Sequence, residues 1–267
     1  MTCITKEIEM KHITVGCDPE FFVKQDNNFI NAIGLVEGTK KNPYPVERGA
    51  VQVDGMALEF NISPASSSDE FVWNIEKVLE QLRMMIPSNL EFAMVPVAKF
   101  DKKYFEEQPA ESKELGCEPD YNGWTGDVNK KPNNKVTFRT ASGHVHIGYE
   151  GDKTYEDQCN LTKQLDFYLG LPSIIYDKDK KRRELYGKAG AFRPKPYGLE
   201  YRTLSNAWLI NRERMIWVFE QTVRACQDYF KGKRLFEKYG DIQAIINNSD
   251  KRTARDLIKK EGLVCPI

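Results

Sequence analysis

The chain has 267 residues, with 39 Lys and Arg against 39 Asp and Glu, 40% hydrophobic and 11% aromatic residues, enough to bury a core without covalent staples. Balanced charge excludes a global field for nucleic acid, so no nucleic-acid partner is expected without a local basic stripe. No stretch reaches the roughly 18 apolar residues of a membrane-spanning helix, and MTCITKEIEMKH mixes charges too early for a signal peptide, so a cytoplasmic protein without membrane contact is expected.

In chain order, residues 13–34 read as a hairpin, ITVGCDPEFFVK and FINAIG around a turn at Asp26-Asn27-Asn28. AVQVDG and MALEFNIS follow as extended segments separated near Gly55. Ser67 with Glu70 three residues on caps a helix whose Phe71, Ile75, Val78, Leu82 and Met85 recur at helical spacing until Pro87. EFAMVPVAKF reads as a strand interrupted by Pro96, and residues 101–135 as an elaborated loop. VTFRTASGHVHIGY is one strand broken at Ser142-Gly143, and a helix capped by Thr154 presents Leu161, Leu165, Tyr168 and Leu169 on one face. DKDKKRRELYGKAGAFRPKPYG is too rich in Gly, Pro and charge for regular structure, whereas LEYRTLS alternates like a strand. A long helix runs from Asn211 to about Lys231, and short polar helices end the chain. The class is α+β with mostly antiparallel strands, because few consecutive strands are separated by a single helix.

Six scattered cysteines, Cys3, Cys17, Cys117, Cys159, Cys226 and Cys265, show no metal or redox spacing and read as reduced thiols. Cys17 and Cys117 sit in Gly-Cys-acid contexts; the reading preferred for both is a small buried filler over a nucleophile. Neither G-x-G-x-x-G nor a Walker A loop occurs, so phosphate would have to be held by metal ions and arginines.

Asp18 and Glu20, two apart, put both carboxylates on one strand face. Buried together they need a cation; exposed, they are an ordinary acidic face. Glu59 sits between Leu58 and Phe60, and Asp54 shares its face only if Gly55 makes a bulge or turn. Oxygen ligands of this kind suit Mg2+. His144 and His146 likewise share a face, with a zinc pair as the rival reading. Finally, RRELYGKAGAFRPKPYGLEYRTLSN offers Arg182, Arg183, Lys188, Arg193 and Lys195 and then Glu200-x-Arg202 on a strand, a set able to grip phosphoryl oxygens beside a metal. Lys178, Lys180 and Lys181 read as a solvated basic loop instead.

The order of these motifs resembles the glutamine synthetase and glutamate–cysteine ligase fold. GCDPEFF, VDGMALEFN, GCEPDYNGW, RTASGHVHIGY and ELYGKAGAFRPKPYGLEYRTLSN more closely resemble the carboxylate–amine ligase family described from tailed bacteriophages. The similarity covers roughly residues 13–220. It implies a half-barrel of antiparallel strands flanked by helices, with an amidoligase domain over 1–231 and a short helical tail over 232–267. It also implies ATP-dependent joining of a small-molecule or peptide carboxylate to an amine through an acyl phosphate, in a host cytoplasm. Carried over, Glu20 and Glu59, with Asp54, would hold one Mg2+ or Mn2+; Asp18, His144 and Glu200 would hold the metal that bridges ATP phosphates. Arg183, Arg193 and Arg202 would stabilise the transferring phosphoryl group, with Lys188, Lys195, Tyr186 and Arg202 toward the nucleotide. Asp18 stands where a Glu is more usual. Asp120 and His146 are the alternatives for the base, and Tyr121 and Trp124 would line a pocket or pack in the core. A kinase of the same fold, a silent binding or inhibitory relative, and a zinc hydrolase are the competing readings.

Overall fold

The computed structural model describes residues 12–113, 119–130, 136–240 and 242–266. Cys3, Cys117 and the start of GCEPDYNGW lie outside them.

The chain begins with β1 (Ile13–Cys17) and β2 (Glu20–Gln25), joined by Asp18-Pro19, and β3 (Asn28–Ile30) returns along β2. The two turn residues Asp26 and Asn27 adopt positive φ, 47° and 68°, a conformation short polar side chains tolerate. Then come β4 (Tyr44–Val46), β5 (Gly49–Asp54), β6 (Ala57–Ile62) and α1 (Ser68–Met85). Ser67 caps α1 by accepting from the Glu70 amide, while the Glu70 carboxylate reaches back one residue further, to the Ser66 amide. Phe71, Ile75, Val78 and Leu82 are buried, but Met85 is 37% exposed, because the helix carries it past the edge of the core.

β7 (Glu91–Ala93) and β8 (Val97–Lys99) lie either side of Pro96. The stretch expected to be loop contains α2 (Lys102–Glu107), capped by Asp101, and α3 (Ala110–Lys113), then β9 (Tyr121–Asn122). β10 (Phe138–Thr140) and β11 (Val145–Tyr149) are not one broken strand: they belong to different sheets, β10 pairing with β8. Between them Gly143 is pressed against its surroundings, since a Cβ there would lie 2.4 Å from both the Ser205 carbonyl and Trp208 Nε1. α4 (Tyr155–Leu165) passes through a π-helical turn, Asp166–Gly170, into α5 (Leu171–Tyr176). The basic run is more regular than expected, with α6 (Lys181–Leu185) and β12 (Ala191–Lys195), and the expected strand in LEYRTLS is β13 (Gly198–Tyr201), paired with β12 as a hairpin. α7 (Arg212–Phe230), capped by Asn211, precedes α8 (Leu235–Lys238), α9 (Ile242–Asn247) and α10 (Lys251–Lys260).

The result is α+β, with curved antiparallel sheets. One sheet runs β1-β11-β13-β12-β9, a second runs β3-β2-β6-β5-β4 with β7 also on β2, and β8 and β10 form a two-stranded third. Strand alternation sorts their faces. Val15, Val145, Ile147, Leu199 and Tyr201 enter the core, where Phe71 of α1 stacks on Trp208 and meets Phe219 of α7 at a tilt. The intervening residues Gly16, His146, Glu200 and Arg193 are successive cross-strand partners and form a row on the opposite face. No helix among the described residues is long and apolar enough to cross a membrane.

Candidate functional site

The expected β1–β2 run is one chain path shared by two sheets. At Asp18-Pro19 it leaves β11 and joins β6, held by the Glu20 amide on the Ser142 carbonyl at 2.9 Å. The acidic residues sit at this crossing. Glu20 is the direct cross-strand partner of Glu59, which pairs on its other side with Gln52. Asp54, two residues beyond Gln52, lies on the same face, and Gly55, at φ 58°, makes the turn. A hairpin rather than a bulge therefore unites Asp54 with Glu59.

Two clusters result, each with ligand atoms within 4.8 Å of one another: Glu20, Asp54 and Glu59, and Asp18, His146 and Glu200. In the first, Glu59 Oε2 is buried without a hydrogen-bond partner. Burial, with repulsion from Asp18, Asp54 and Glu20, pushes Glu59 well above the carboxylate range. Burial and Asp54 push Glu20 up to about 7, against the pull of the Ser142 amide, Lys40 and Arg182. Lys40 reaches Asp54 at 2.6 Å.

In the second cluster, His146 Nε2 lies 3.1 Å from Asp18 Oδ1, and His144 Nδ1 lies 3.3 Å from that oxygen and 3.5 Å from Glu200 Oε1. Burial opposes ionisation of Asp18, but the two imidazoles outweigh it and hold its carboxyl well below the usual range. Burial and Asp18 likewise oppose ionisation of Glu200, yet Arg202 and the imidazoles bring it down to about 2. Burial and Arg202 push His144 down to about 4, so it is neutral at physiological pH.

Cations converge on the same place. Arg193 and Lys195 approach Glu200 Oε2 at 3.2 and 2.9 Å, and Arg202 bonds Glu200 Oε1. Arg202 also holds Asp120 through Nε at 3.0 Å. Asp120, Tyr186, His144 and Arg202 line a cavity with Glu20, Asp54 and Ser142. On the other side of the acids, Asp18, Glu59, His146 and Tyr197 line a second cavity.

Not every expected residue reaches the site. Arg183 turns into the core, 3.2 Å from Ser173 Oγ and 3.8 Å from Asp177, so it does not face the cavity. Its neighbour Arg182 does, with Nη1 and Nη2 tied to the carbonyls of Thr203 and Arg202 and Nε buried without a hydrogen-bond partner. Lys188 is exposed; its backbone carbonyl accepts from Thr203 Oγ1. Trp124 donates from Nε1 to Asp166 at 2.6 Å and packs against the core, and Tyr121 meets Tyr155 edge-on and Phe192 at a tilt, so both aromatics are structural supports. Cys17 is buried and its thiol is pushed well up by burial and Asp18, as a filler would be. Arg139, which lines the first cavity, and Tyr197, which lines the second, were missed by sequence reasoning, whereas Arg182, offered with the basic run, was passed over for Arg183; only a helical-wheel choice between the adjacent arginines could have signalled it.

Residues 134–261, somewhat under half of the chain, match the family of phage phiEco32-like COOH.NH2 ligases, type 2. The resemblance to phage carboxylate–amine ligases thus holds for the stretch carrying His144, His146, Arg193, Glu200 and Arg202, and it supports a ligase type of function. No curated protein matches the chain. Among solved structures it is similar to ligand-free GmaS at 12% identity and TM-score 0.42, covering 95% of this chain and 70% of that one. It is similar to a novel glutamine synthase homolog at 11% and 0.41, covering 94% and 67%. It is also similar to a GmaS/ADP complex at 10% and 0.38, covering 95% and 70%.

Proposed function

We propose that this chain is an ATP-dependent carboxylate–amine ligase that forms an amide or peptide bond through an acyl phosphate and releases ADP and phosphate. The observation that carries this reading is the convergence of two acidic clusters with Arg182, Arg193, Lys195 and Arg202 at one strand crossing.

The residues fit divalent cations. Three carboxylates within 4.8 Å, Glu59 buried and Glu20 and Asp54 half-buried, repel one another, and Glu59 keeps an oxygen with no hydrogen-bond partner. Asp18 Oδ1 and His146 Nε2 point together at 3.1 Å without forming a hydrogen bond. Glu20, Asp54 and Glu59 would hold one Mg2+ or Mn2+, and Asp18, Glu200 and an imidazole the other. Bound there, the cations would offset the acids' charge and polarise phosphoryl oxygens.

The chain's own groups have separable tasks. A carboxylate is a poor electrophile, so its oxygen attacks the γ-phosphorus of ATP as the bond to ADP breaks; Arg193, Lys195 and Arg202 stabilise the charge in transit. The amine nitrogen then attacks the acyl carbon, the C–O bond to phosphate breaks, and a proton must leave the nitrogen. Asp120 is the better base. It lines the cavity beside Arg202, whereas His146 lines the other cavity, with Nδ1 on the Tyr197 hydroxyl and Nε2 facing Asp18.

Calorimetric titration with a non-hydrolysable ATP analogue, with and without Mg2+, tests the reading without a guess at the acceptor. Binding should require Mg2+ and disappear in Glu59→Gln, which should also lower ATP turnover on the order of 100-fold or more while the metal-free fold is kept. No binding under either condition overturns the enzyme in favour of a binding protein. Phosphorylated product without an amine requirement points to a kinase.

A further inference from the structure

α10 packs on α5 and α9, with Ala254 and Ile258 buried, and turns a cationic stripe outward. At about 100° per residue, Lys251, Arg252, Arg255 and Lys259 fall within one sector of about 100°, which Asp256 only borders. Arg252, Arg255 and Lys259 are exposed, and Lys251 is half-buried. Helix stability does not account for the stripe. Lys251 and Arg252 stand in the first turn, where the macrodipole disfavours cations and the capping Asp250 is engaged by Thr253. Lys251 with Arg255, and Arg255 with Lys259, are like charges four residues apart, which repel. Partners within the chain do not account for it either. The cations before it, Lys233, Arg234 and Lys238, pair with Asp228, Glu237 and Glu261, but none of the four on the stripe forms such an ion pair among the described residues. Residues 231–267 hold nine Lys and Arg against five Asp and Glu, so the rest of the neutral chain is acidic.

We propose that the α10 stripe is a docking surface for nucleic acid, which it grips by the phosphate backbone without reading bases. A duplex carries one charge per about 3.4 Å of axis on each strand, and the stripe repeats its cations over about 10 Å of helix from Arg252 to Lys259. Two of the four are guanidinium groups, whose planar fork matches phosphate oxygens. A lipid surface fits less well, because the apolar face of α10 is already buried and no large hydrophobic side chain of this helix is exposed to enter a bilayer. The balance of charge over the whole chain hides this face, since the acids that cancel it lie elsewhere. The assignment goes beyond the ligase reading and does not rest on it.

The experiment is fluorescence anisotropy of a labelled random-sequence DNA duplex of about 20 base pairs, titrated with the full chain between about 50 and about 200 mM salt. Four phosphate contacts give a slope of log K against log salt of about −3.6, so binding should weaken on the order of 100-fold across that range. Arg252→Gln, Arg255→Gln and Lys259→Gln together should bring the slope to about −1 and weaken binding more than about 10-fold at the lower salt. The melting temperature should hold or rise, because the repulsion along the stripe is gone. Should the triple variant unfold, Arg255→Gln alone, which removes both like-charge pairs, should still lower the slope by about 0.9. Changing Lys99, Lys102 and Lys103, three exposed lysines elsewhere, to Gln removes the same charge and should leave the slope unchanged. No binding at the lower salt, a slope that survives the substitutions on α10, or an equal loss in the lysine control overturns the proposal. So does binding to phosphatidylserine-rich vesicles when the duplex is ignored, which would place this face on a membrane.

Discussion

Asp166 lies wholly inside the protein at the start of the π-helical turn, accepting from Trp124 Nε1 at 2.6 Å and from the Tyr201 hydroxyl at 2.7 Å. Burial pushes its carboxyl up from about 3.8 to about 6, even though those donors pull the other way. The folded state therefore holds this proton more tightly than the unfolded state. Its contribution to stability is full below about pH 4 and is lost as pH rises through about 6, a change on the order of 3 kcal/mol. Asp166→Asn removes that slope. Urea unfolding of both proteins should show the wild type losing about 3 kcal/mol relative to the variant between pH 4 and pH 7; parallel curves would mean the carboxyl titrates normally. The same carboxylate ties the Trp124 loop, which follows Asp120, to the strand that bears Glu200 and leads into Arg202. Arg182 and Arg183 show how fine such placement is. One helical step of about 100° separates an arginine on the cavity from one buried against Ser173.

The β12–β13 hairpin sets the row of charged partners. With Arg193 opposite Glu200 and Glu200 opposite His146, a one-residue slip would send all three to the core face. Gly198 pins that register. Gly198→Ala should destabilise the fold by about 2–3 kcal/mol by overpacking against the Ile147 carbonyl, and it should weaken Mn2+ binding as well, measured by unfolding and by metal titration on one preparation. Removing the α1 cap with Ser67→Ala should cost about 1 kcal/mol, but metal binding should stay intact, because that helix end touches none of the acids. Equal effects of both substitutions on metal binding would mean the hairpin has no special hold on the cluster.

The molecule gathers its site from segments far apart in sequence, and the C-terminal helices take part. Asn247 Oδ1 accepts from the Ala189 amide, and Gln243 Nε2 donates to Asn122 Oδ1 and the Ala189 carbonyl, so α9 steadies the turn before β12 and the strand after Asp120. Trp217 Nε1 donates to the Val264 carbonyl, closing the tail over α7. Because the acids repel one another when folded and disperse when unfolded, a cation that binds only the folded state should stabilise it. At 100 times its dissociation constant each Mg2+ contributes about 2.7 kcal/mol, a rise on the order of 5 °C in melting temperature for each site. Glu59→Gln should keep roughly half of that gain, whereas a melting temperature indifferent to Mg2+ and to chelator would sink the metal assignment.

Much of this was readable along the chain. The caps at Ser67 and Thr154, the start of the long helix at Asn211, the helical faces of α1 and α7, the Asp26-Asn27 turn and the α+β class follow from local propensity and from the periods of 3.6 and 2, which neighbouring residues carry by themselves. That Asp18 and Glu20, or His144 and His146, come near each other is also a local matter. Other features needed the folded chain. The helices at 102–113 and 181–185 and the strand at 191–195 formed where Gly, Pro and charge suggested loop; partners elsewhere support two of them, for Phe105 packs on Phe100, and β12 pairs with β9 and with β13, the strand that LEYRTLS announced. The choice of Arg182 over Arg183, the exposure of Lys188 and the reach of Tyr197 to His146 depend on which surface each short element meets. The sequence by itself determined the elements and the supply of acids, imidazoles and guanidinium groups. Only the tertiary structure decided which of them share a site, because contacts across more than a hundred residues are set by how sheets cross and pack, and no local period encodes that crossing.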